Sequence, residues 1–238
     1  MLYIKPHKLK VVFFYQIVII KLISDIRTLY LGVMITLETR QLTKRFGPKS
    51  VFNDVNIHFT GAILGIGGPN GSGKSTLLKC LAGLLRPSAG EIAWDADDKR
   101  ISGPMLRKDI GYAAPYLNHY AELTVDENLA FVARLRSLEK ARERIGELLR
   151  ILDIHHQKNV SYGSLSSGQQ QRVKLAAALL GQPRVLFLDE PGTNLDKKGN
   201  QIVNSLVMSF LDRGGTVILA SNNEGELDLC EQVYTLDA

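Results

Sequence analysis

The feature that most constrains the fold is a glycine-rich segment, Gly68-Pro-Asn-Gly-Ser-Gly73-Lys74-Ser75-Thr76. It follows an apolar run over residues 62–66, which is typical of a buried strand, and precedes a helical pattern that ends at Gly83. Strand, glycine-rich turn and helix in this order match the pattern G-x-x-x-x-G-K-[ST]. Glycines let backbone N–H groups approach phosphate oxygens, and a helix N-terminus favours negative charge. The segment, here called the phosphate loop (residues 68–76), therefore predicts nucleoside triphosphate binding.

The side chains of the phosphate loop have distinct predicted roles. Lys74 is expected to reach the β- and γ-phosphates, and the Ser75 hydroxyl to bind Mg²⁺. The residues predicted to bind nucleotide in this loop are Gly68, Pro69, Asn70, Gly71, Ser72, Gly73, Lys74, Ser75 and Thr76.

A second apolar run, over residues 184–188, ends in the acidic pair Asp189 and Glu190. A carboxylate at the tip of a buried strand is costly unless it faces a cation or water. We expect Asp189 to hold Mg²⁺ together with Ser75, and Glu190 to act as the base for an attacking water. A solvated pair of acids at a strand end is the alternative interpretation.

The segment Leu165-Ser-Ser-Gly-Gln-Gln-Gln-Arg172 closely precedes this second run. With these motifs in this order, residues 34–238 resemble the ATP-binding subunits of ABC transporters. The resemblance implies an α/β fold with a P-loop NTPase core, which is a RecA-type, mostly parallel sheet with flanking helices. An antiparallel β edge and an inserted α-helical subdomain at about residues 112–181 complete the expected domain.

The resemblance also implies a mechanism. Two such subunits, in a homodimer or a heterodimer, enclose two ATP molecules, and hydrolysis to ADP and phosphate separates them. Each ATP would lie between the phosphate loop of one subunit and the other subunit's Ser166, Ser167, Gly168 and Gln169. Phe46 would stack on adenine, the alternative being a phenylalanine in the core.

A separate membrane-spanning permease is the further partner that the resemblance implies. It would dock near residues 115–122 and would place the chain at the cytoplasmic face of the cell membrane. The short chain and residues 91–94 resemble the haem-exporter type, which serves cytochrome c maturation. The sequence specifies neither the cargo nor the direction of transport.

The chain departs from the family pattern at two positions. The family usually has a glutamine where this chain has Pro115, and Asn118 or His119 would then have to substitute for it. The family also usually has a histidine where this chain has Asn222. An amide can donate a hydrogen bond but cannot carry a proton, so we expect Asn222 to be catalytic but hydrolysis to be slow.

Helical periodicity predicts helices over residues 126–137, 139–154 and 168–181. Ile145, Leu148, Leu149 and Leu152 recur at helical spacing and are expected to lie in the core.

Residues 1–33 differ from the rest of the chain in charge and hydropathy. They carry five basic residues and one acid, so of the formal net charge of +5 only +1 belongs to residues 34–238. The basic isoelectric point therefore gives no support to nucleic-acid binding. Residues 1–33 are open to three interpretations: a segment absent from the mature protein, a membrane-surface segment, or a signal or spanning segment.

Two other functional classes remain open. One is a soluble ABC-type ATPase that acts on DNA, ribosomes or iron–sulfur assembly. Only 92 positions separate Lys74 from Ser166, which leaves no room for a long coiled coil and disfavours the DNA-repair type. The other is an ATP-binding regulator that does not hydrolyse ATP, which Pro115 and Asn222 favour.

Overall fold

The computed structural model describes residues 34–97, 99–101 and 108–237, so the interpretations of residues 1–33 lie outside the described residues. The strands in the described part are β1 (Ile35–Phe46), β2 (Lys49–Thr60), β3 (Ile63–Gly67), β4 (Ala89–Ala96), β5 (Lys99–Arg100), β6 (Ile110–Ala113), β7 (Val185–Asp189), β8 (Thr216–Ala220) and β9 (Gln232–Thr235). The α-helices are α1 (Lys74–Leu81), α2 (Val125–Leu135), α3 (Ala141–Ile151), α4 (Ser167–Leu179), α5 (Lys197–Asp212) and α6 (Glu224–Leu227).

The strands form two sheets of different kinds. One sheet is antiparallel, in the order β2-β1-β4-β5, and the other is parallel, in the order β6-β7-β8-β3-β9. Every residue of β3, β7 and β8 is buried, as expected for parallel strands covered on both faces. The predicted α/β fold class, with its parallel core sheet, antiparallel edge and helices, is confirmed.

Trp94 connects the two sheets. Its indole Nε1 donates a hydrogen bond of 3.0 Å to the carbonyl oxygen of Leu81 at the end of α1. Its ring meets Phe187 of β7 edge-on, with the ring centroids 5.9 Å apart. Trp94 is 2% exposed and therefore packs in the hydrophobic core between β4, α1 and the parallel sheet.

Helices α2, α3 and α4 lie close to their predicted positions. Ile145, Leu148, Leu149 and Leu152 are buried in one cluster, as the helical spacing predicted. The second helix is shorter than expected because Lys140 before it and Asp153 after it have positive φ angles, which interrupt the helix. His155 consequently lies in a short 3₁₀ helix, His155–Gln157.

The order of the parallel strands determines where the motifs meet. The neighbouring strands β7, β8 and β3 end at Asp189, Ala220 and Gly67, respectively. Because the carboxyl ends of parallel strands share one edge of the sheet, the residues that follow them converge in one crevice. Glu190, Asn222 and the phosphate loop, distant in sequence, are thereby brought together.

Candidate functional site

The phosphate loop is shaped by backbone positions that only glycine tolerates well. Gly68 has φ +136° and Gly73 has φ +99°. A Cβ atom at Gly68 would lie 2.5 Å from the carbonyl oxygen of Leu236, and one at Gly73 would lie 2.6 Å from the Val51 side chain. The chain thus turns tightly from β3 into α1, and the α1 N-terminus is directed into the crevice.

Lys74 is buried and folds back over the loop. Its ammonium donates hydrogen bonds to the carbonyl oxygens of Gly68 at 2.7 Å and Pro69 at 3.0 Å. It also lies 3.8 Å from the Glu190 carboxylate. A positive charge held by the loop's own carbonyl groups is well placed to attract phosphate oxygens.

Ser75 and Asp189 meet at the first turn of α1. The Ser75 Oγ donates a 3.0 Å hydrogen bond to Asp189 Oδ1. Asp189 is 1% exposed, and its Oδ2 has no hydrogen-bond partner among the residues that the structure describes. A hydroxyl and a carboxylate are the hard oxygen ligands that magnesium prefers, and a buried oxygen without a partner calls for a cation or a donor. These residues therefore fit a magnesium ion.

Glu190 lies next to the phosphate loop in a constrained conformation. Its φ angle is +49°, and its backbone N–H donates a 2.8 Å hydrogen bond to the carbonyl oxygen of Ala220. Burial raises the pKa of the Glu190 carboxyl, the nearby Glu226 carboxylate raises it further, and Lys74 opposes this effect. A raised pKa suits a group that must take up a proton.

Asn222 contacts the phosphate loop directly. Its side-chain Nδ2 donates a 2.9 Å hydrogen bond to Asn70 Oδ1. Asn222 therefore lies beside the phosphate loop, where its amide can supply only hydrogen bonds, and its catalytic role stays a prediction.

Residues 166–169 stand at the start of α4. Ser166 Oγ accepts a 3.3 Å hydrogen bond from the Gln169 N–H, and Gln169 Oε1 accepts one of 2.9 Å from the Ser166 N–H. This capping box satisfies the helix end. The side chains at the start of α4 form hydrogen bonds with one another and with the carbonyl oxygens of Tyr162, Leu165 and Pro191. Among the described residues, none of these hydrogen bonds reaches the phosphate loop.

Phe46 ends β1 and is 53% exposed, with the Lys44 ammonium 4.7 Å from its ring centroid. The alternative of a core phenylalanine is therefore wrong, and adenine stacking stays a prediction.

The sequence-based search missed two tyrosines next to the acidic pair. The hydroxyl oxygens of Tyr112 and Tyr116 are 2.6 Å apart, and burial, with a smaller contribution from the Asp189 charge, raises the pKa of both phenols. His119, which we considered instead, packs edge-on against Tyr162 with the ring centroids 5.2 Å apart. Two tyrosines four positions apart, on either side of Pro115, were the signal for this arrangement in the sequence.

Fold and site together define an α/β domain with a phosphate loop for nucleotide binding. A family model described as ABC transporter matches residues 52–193. The chain therefore belongs to the ABC transporter family, as one of its ATP-binding domains.

Some similar proteins are named for import and others for export. The chain is 36% identical over 200 residues to the glucose import ATP-binding protein GlcV of Saccharolobus solfataricus, covering 80% of this chain and 57% of that protein. It is 33% identical over 189 residues to the cytochrome c biogenesis ATP-binding export protein CcmA of Haemophilus influenzae, covering 79% of this chain and 89% of that protein. The chain thus spans less than two thirds of the length of some relatives.

A solved structure of a bacterial ABC transporter cassette, described as dimeric, is similar with a TM-score of 0.74 and 26% identity. The match covers 84% of this chain and 94% of that one.

Proposed function

We propose that this chain binds and hydrolyses ATP with magnesium, dimerises around ATP, and drives a separate membrane-spanning partner at the cytoplasmic face of the cell membrane. The observation that carries the proposal is the convergence of Lys74, Ser75, Asp189 and Glu190 in one crevice. The phosphate loop binds the triphosphate, and Phe46 offers an exposed ring for the adenine.

The two acidic residues have different proposed roles: Asp189 binds the metal ion, and Glu190 accepts a proton. Ser75 and Asp189 would hold the magnesium ion, which neutralises charge on the phosphates when bound. Glu190 orients a water molecule and accepts its proton, because its carboxylate lies beside the phosphate loop and its pKa is raised. Lys74 stabilises the negative charge on the phosphates.

Asn222 limits this chemistry. Its amide can donate a hydrogen bond to the γ-phosphate from its position beside Asn70, but it cannot take part in proton transfer. We expect slow but measurable hydrolysis. A regulator that binds ATP without turnover is the second candidate, and Asn222 together with Pro115 favours it.

The second subunit is expected to complete the site. Residues 166–169 present backbone N–H groups at the N-terminus of a 13-residue helix, which is a favourable position for a γ-phosphate. In an ATP-bound dimer, this helix end of one subunit would cover the phosphate loop of the other. Loss of the γ-phosphate removes that contact, so ATP shifts the equilibrium between open and closed dimers.

A separate membrane partner is consistent with the surface around residues 115–122. Leu117 and Tyr120 there are 41% and 55% exposed, and both side chains are accessible to such a partner. Within the described residues, no helix is both long and apolar enough to cross a bilayer. The names of the relatives include import and export, so cargo and direction stay open, and the haem-exporter subtype stays a prediction.

ATP-dependent dimerisation tests the proposal. We expect Glu190→Gln to form an ATP-stabilised dimer in size-exclusion chromatography, because it binds ATP but cannot activate water. Adding Ser166→Arg should abolish that dimer, since a bulky cation at the helix start blocks the approach of the partner. Glu224→Gln and Ser205→Arg, at exposed positions of α6 and α5, are the matched controls. A dimer that is indifferent to both site variants would refute the model.

A further inference from the structure

A cleft lies between α3 and α5, away from the residues of the nucleotide crevice. Its volume is about 780 Å³, within the range of pockets that hold small molecules. One wall is α3, the other is α5 with the turn that follows it, and residues 182–184 before β7 complete the lining. Among the described residues that line the cleft, none belongs to the phosphate loop or to the acidic pair. The cleft is therefore separate from the proposed ATP site.

Much of the lining is apolar and comes from three helices. The apolar side chains that line the cleft are Leu148, Ile151, Leu179, Ile202, Leu206 and Phe210. Leu148, Leu179 and Leu206 belong to the buried core cluster, whereas Ile151 is 43% exposed. The cleft thus reaches from the surface to the edge of the core, where an apolar group of a ligand would gain by leaving water.

The turn after α5 keeps the Phe210 ring in this wall. Gly214 has φ +84°, and the N–H groups of Gly214 and Gly215 donate hydrogen bonds of 2.9 Å and 3.1 Å to the carbonyl oxygens of Leu211 and Phe210. A Cβ atom at Gly215 would lie 2.3 Å from the Phe210 ring. The ring therefore packs directly against the backbone of the turn, which a side chain at position 215 would prevent.

The charged part of the lining is basic. Four basic residues line the cleft, and no acidic residue does within the described part of the chain: Arg144, Arg184, Lys198 and Arg213. Two of them have an acidic partner at short range. Arg184 lies 2.5 Å from the Asp109 carboxylate, and Lys198 lies 2.6 Å from the Asp153 carboxylate. The charges of these two residues are therefore already compensated.

The charges of Arg144 and Arg213 are less well compensated. Arg144 donates a 2.7 Å hydrogen bond to Glu147, but its buried Nε has no hydrogen-bond partner among the described residues. Arg213 donates only to the carbonyl oxygen and the hydroxyl of Ser209, at 3.1 Å and 2.9 Å. The hydrogen bond from Arg144, with the charges of Arg144 and Arg213, lowers the pKa of the Glu147 carboxyl. Two guanidinium groups thus share one carboxylate, which favours the binding of a second anion.

We propose that this cleft binds a small amphipathic anion, with its hydrocarbon or aromatic part against α3 and α5 and its carboxylate or phosphate at Arg144 and Arg213. A guanidinium suits either head group, because its N–H donors match the spacing of two oxygens. The inference goes beyond the proposed function and does not depend on it, because the cleft lies apart from the nucleotide crevice.

Displacement of a fluorescent dye tests the class of ligand. Anilinonaphthalene sulfonate, itself an amphipathic anion, is bound to the folded parent chain, and competitors are then added. We expect octanoate to displace the dye at a concentration about 10-fold lower than octanol, which lacks the charge, or acetate, which lacks the apolar part. Naphthyl phosphate should displace it as well, and the more effective of the two anions identifies the preferred head group. Saturating ATP with Mg²⁺ should leave the dye bound.

Arg144→Met and Arg213→Gln test the position of the head group. Arg144→Met keeps an apolar stem and Arg213 is exposed, so we expect both variants to keep the melting temperature of the parent chain. Each should raise the half-saturating dye concentration about 10-fold, because a hydrogen bond to a charged group is lost. Arg142→Met is the matched control, since Arg142 is exposed on the same helix and is not among the residues that line the cleft.

Hydrogen exchange locates the site by a second measurement. Octanoate should slow amide exchange in α3 and in residues 202–215 of the parent chain and of Arg142→Met, and should do so less in Arg144→Met. The inference is overturned if Arg144→Met and Arg213→Gln bind the dye as Arg142→Met does, if octanol competes as well as octanoate, or if ATP displaces the dye. A parent chain that binds no ATP but meets these expectations would overturn the proposed function alone.

Discussion

The phosphate-loop half of the site, residues 68–76 with Asp189, Glu190 and Asn222, and the α4 half, residues 166–169, are held in different ways. In the phosphate-loop half, side chains from segments distant in the sequence bond one another, such as Ser75 of α1 with Asp189 of β7 and Asn222, after β8, with Asn70 of the loop. In the α4 half, Ser166 and Gln169 bond each other and are capped within one turn. One half is assembled by the tertiary fold. The other is a helix start whose side-chain hydrogen bonds, among the described residues, do not reach the phosphate loop.

This difference indicates where each half gets its function. The phosphate-loop half contains the Lys74 cation together with the proposed magnesium ligands and the proposed base, so we propose that it binds nucleotide within one chain. The α4 half has exposed residues, including Ser166 and Ser167, and its backbone donors need an anion from elsewhere. A second subunit is the source that the proposed dimer provides.

The largest expected effect comes from removing the base of the phosphate-loop half. We expect Glu190→Gln to lower phosphate release by about 10²–10⁴-fold, because the amide cannot accept the proton of the attacking water. The measurement is steady-state phosphate release by the purified chain.

Glu224→Gln on α6 is the control for that change, since this carboxylate is exposed and forms no side-chain hydrogen bond or ion pair with the phosphate loop among the described residues. If the parent chain releases no more phosphate than Glu190→Gln, the hydrolytic assignment is wrong and the non-hydrolysing regulator is the better description.

The same contrast explains what the sequence predicted well. Strands β3 and β7 are fully buried, so their apolar runs located them to within one residue of the expected bounds. The phosphate loop has backbone demands that few sequences meet, and its residues are contiguous. The capping pair Ser166 and Gln169 is likewise a local pattern.

What the sequence did not predict depends on contacts between distant segments. The contact between the Tyr112 and Tyr116 hydroxyls depends on the β6–β7 register and on a turn after Ala113, and neither has a sequence signal. Asn128 is a similar case. This buried amide donates to the carbonyl oxygens of Tyr120, Leu123 and Thr124 and holds the loop before α2, yet helical periodicity gave it no special role.

A smaller effect separates the local role of the α4 half from its functional role. Thr124 and Glu127 form a second capping box, at the start of α2. We expect Thr124→Ala and Ser166→Ala each to lower the free energy of unfolding by about 1 kcal/mol, because each removes one helix cap. Urea denaturation measures this loss.

Only Ser166→Ala should also weaken ATP-dependent dimerisation, by about 10-fold, because in the proposed dimer the Ser166 hydroxyl would donate to a charged phosphate and is lost with the cap. Analytical ultracentrifugation with ATP in the Glu190→Gln background would measure it. Equal weakening by Thr124→Ala would mean that the α4 half matters for stability alone.

The smallest expected effect tests the electrostatic setting of Glu190. Its raised pKa means that the folded chain holds this proton to higher pH than the unfolded chain does, so Glu190 costs stability as pH rises through that window. Turnover should instead increase as pH rises, because only the deprotonated Glu190 carboxylate can act as base. The acid limb of the pH–rate profile should therefore follow the pKa of Glu190.

Glu226→Gln removes the nearby negative charge that helps raise this pKa. We expect the acid limb to move to lower pH by less than about one unit, so the variant should be faster than the parent chain under mildly acidic conditions. Glu224→Gln, on the same helix, should leave the profile in place. A move of the acid limb to higher pH would show that Glu226 stabilises the charged form of Glu190. The phosphate-loop half would then depend on α6 for the charge state of its proposed base.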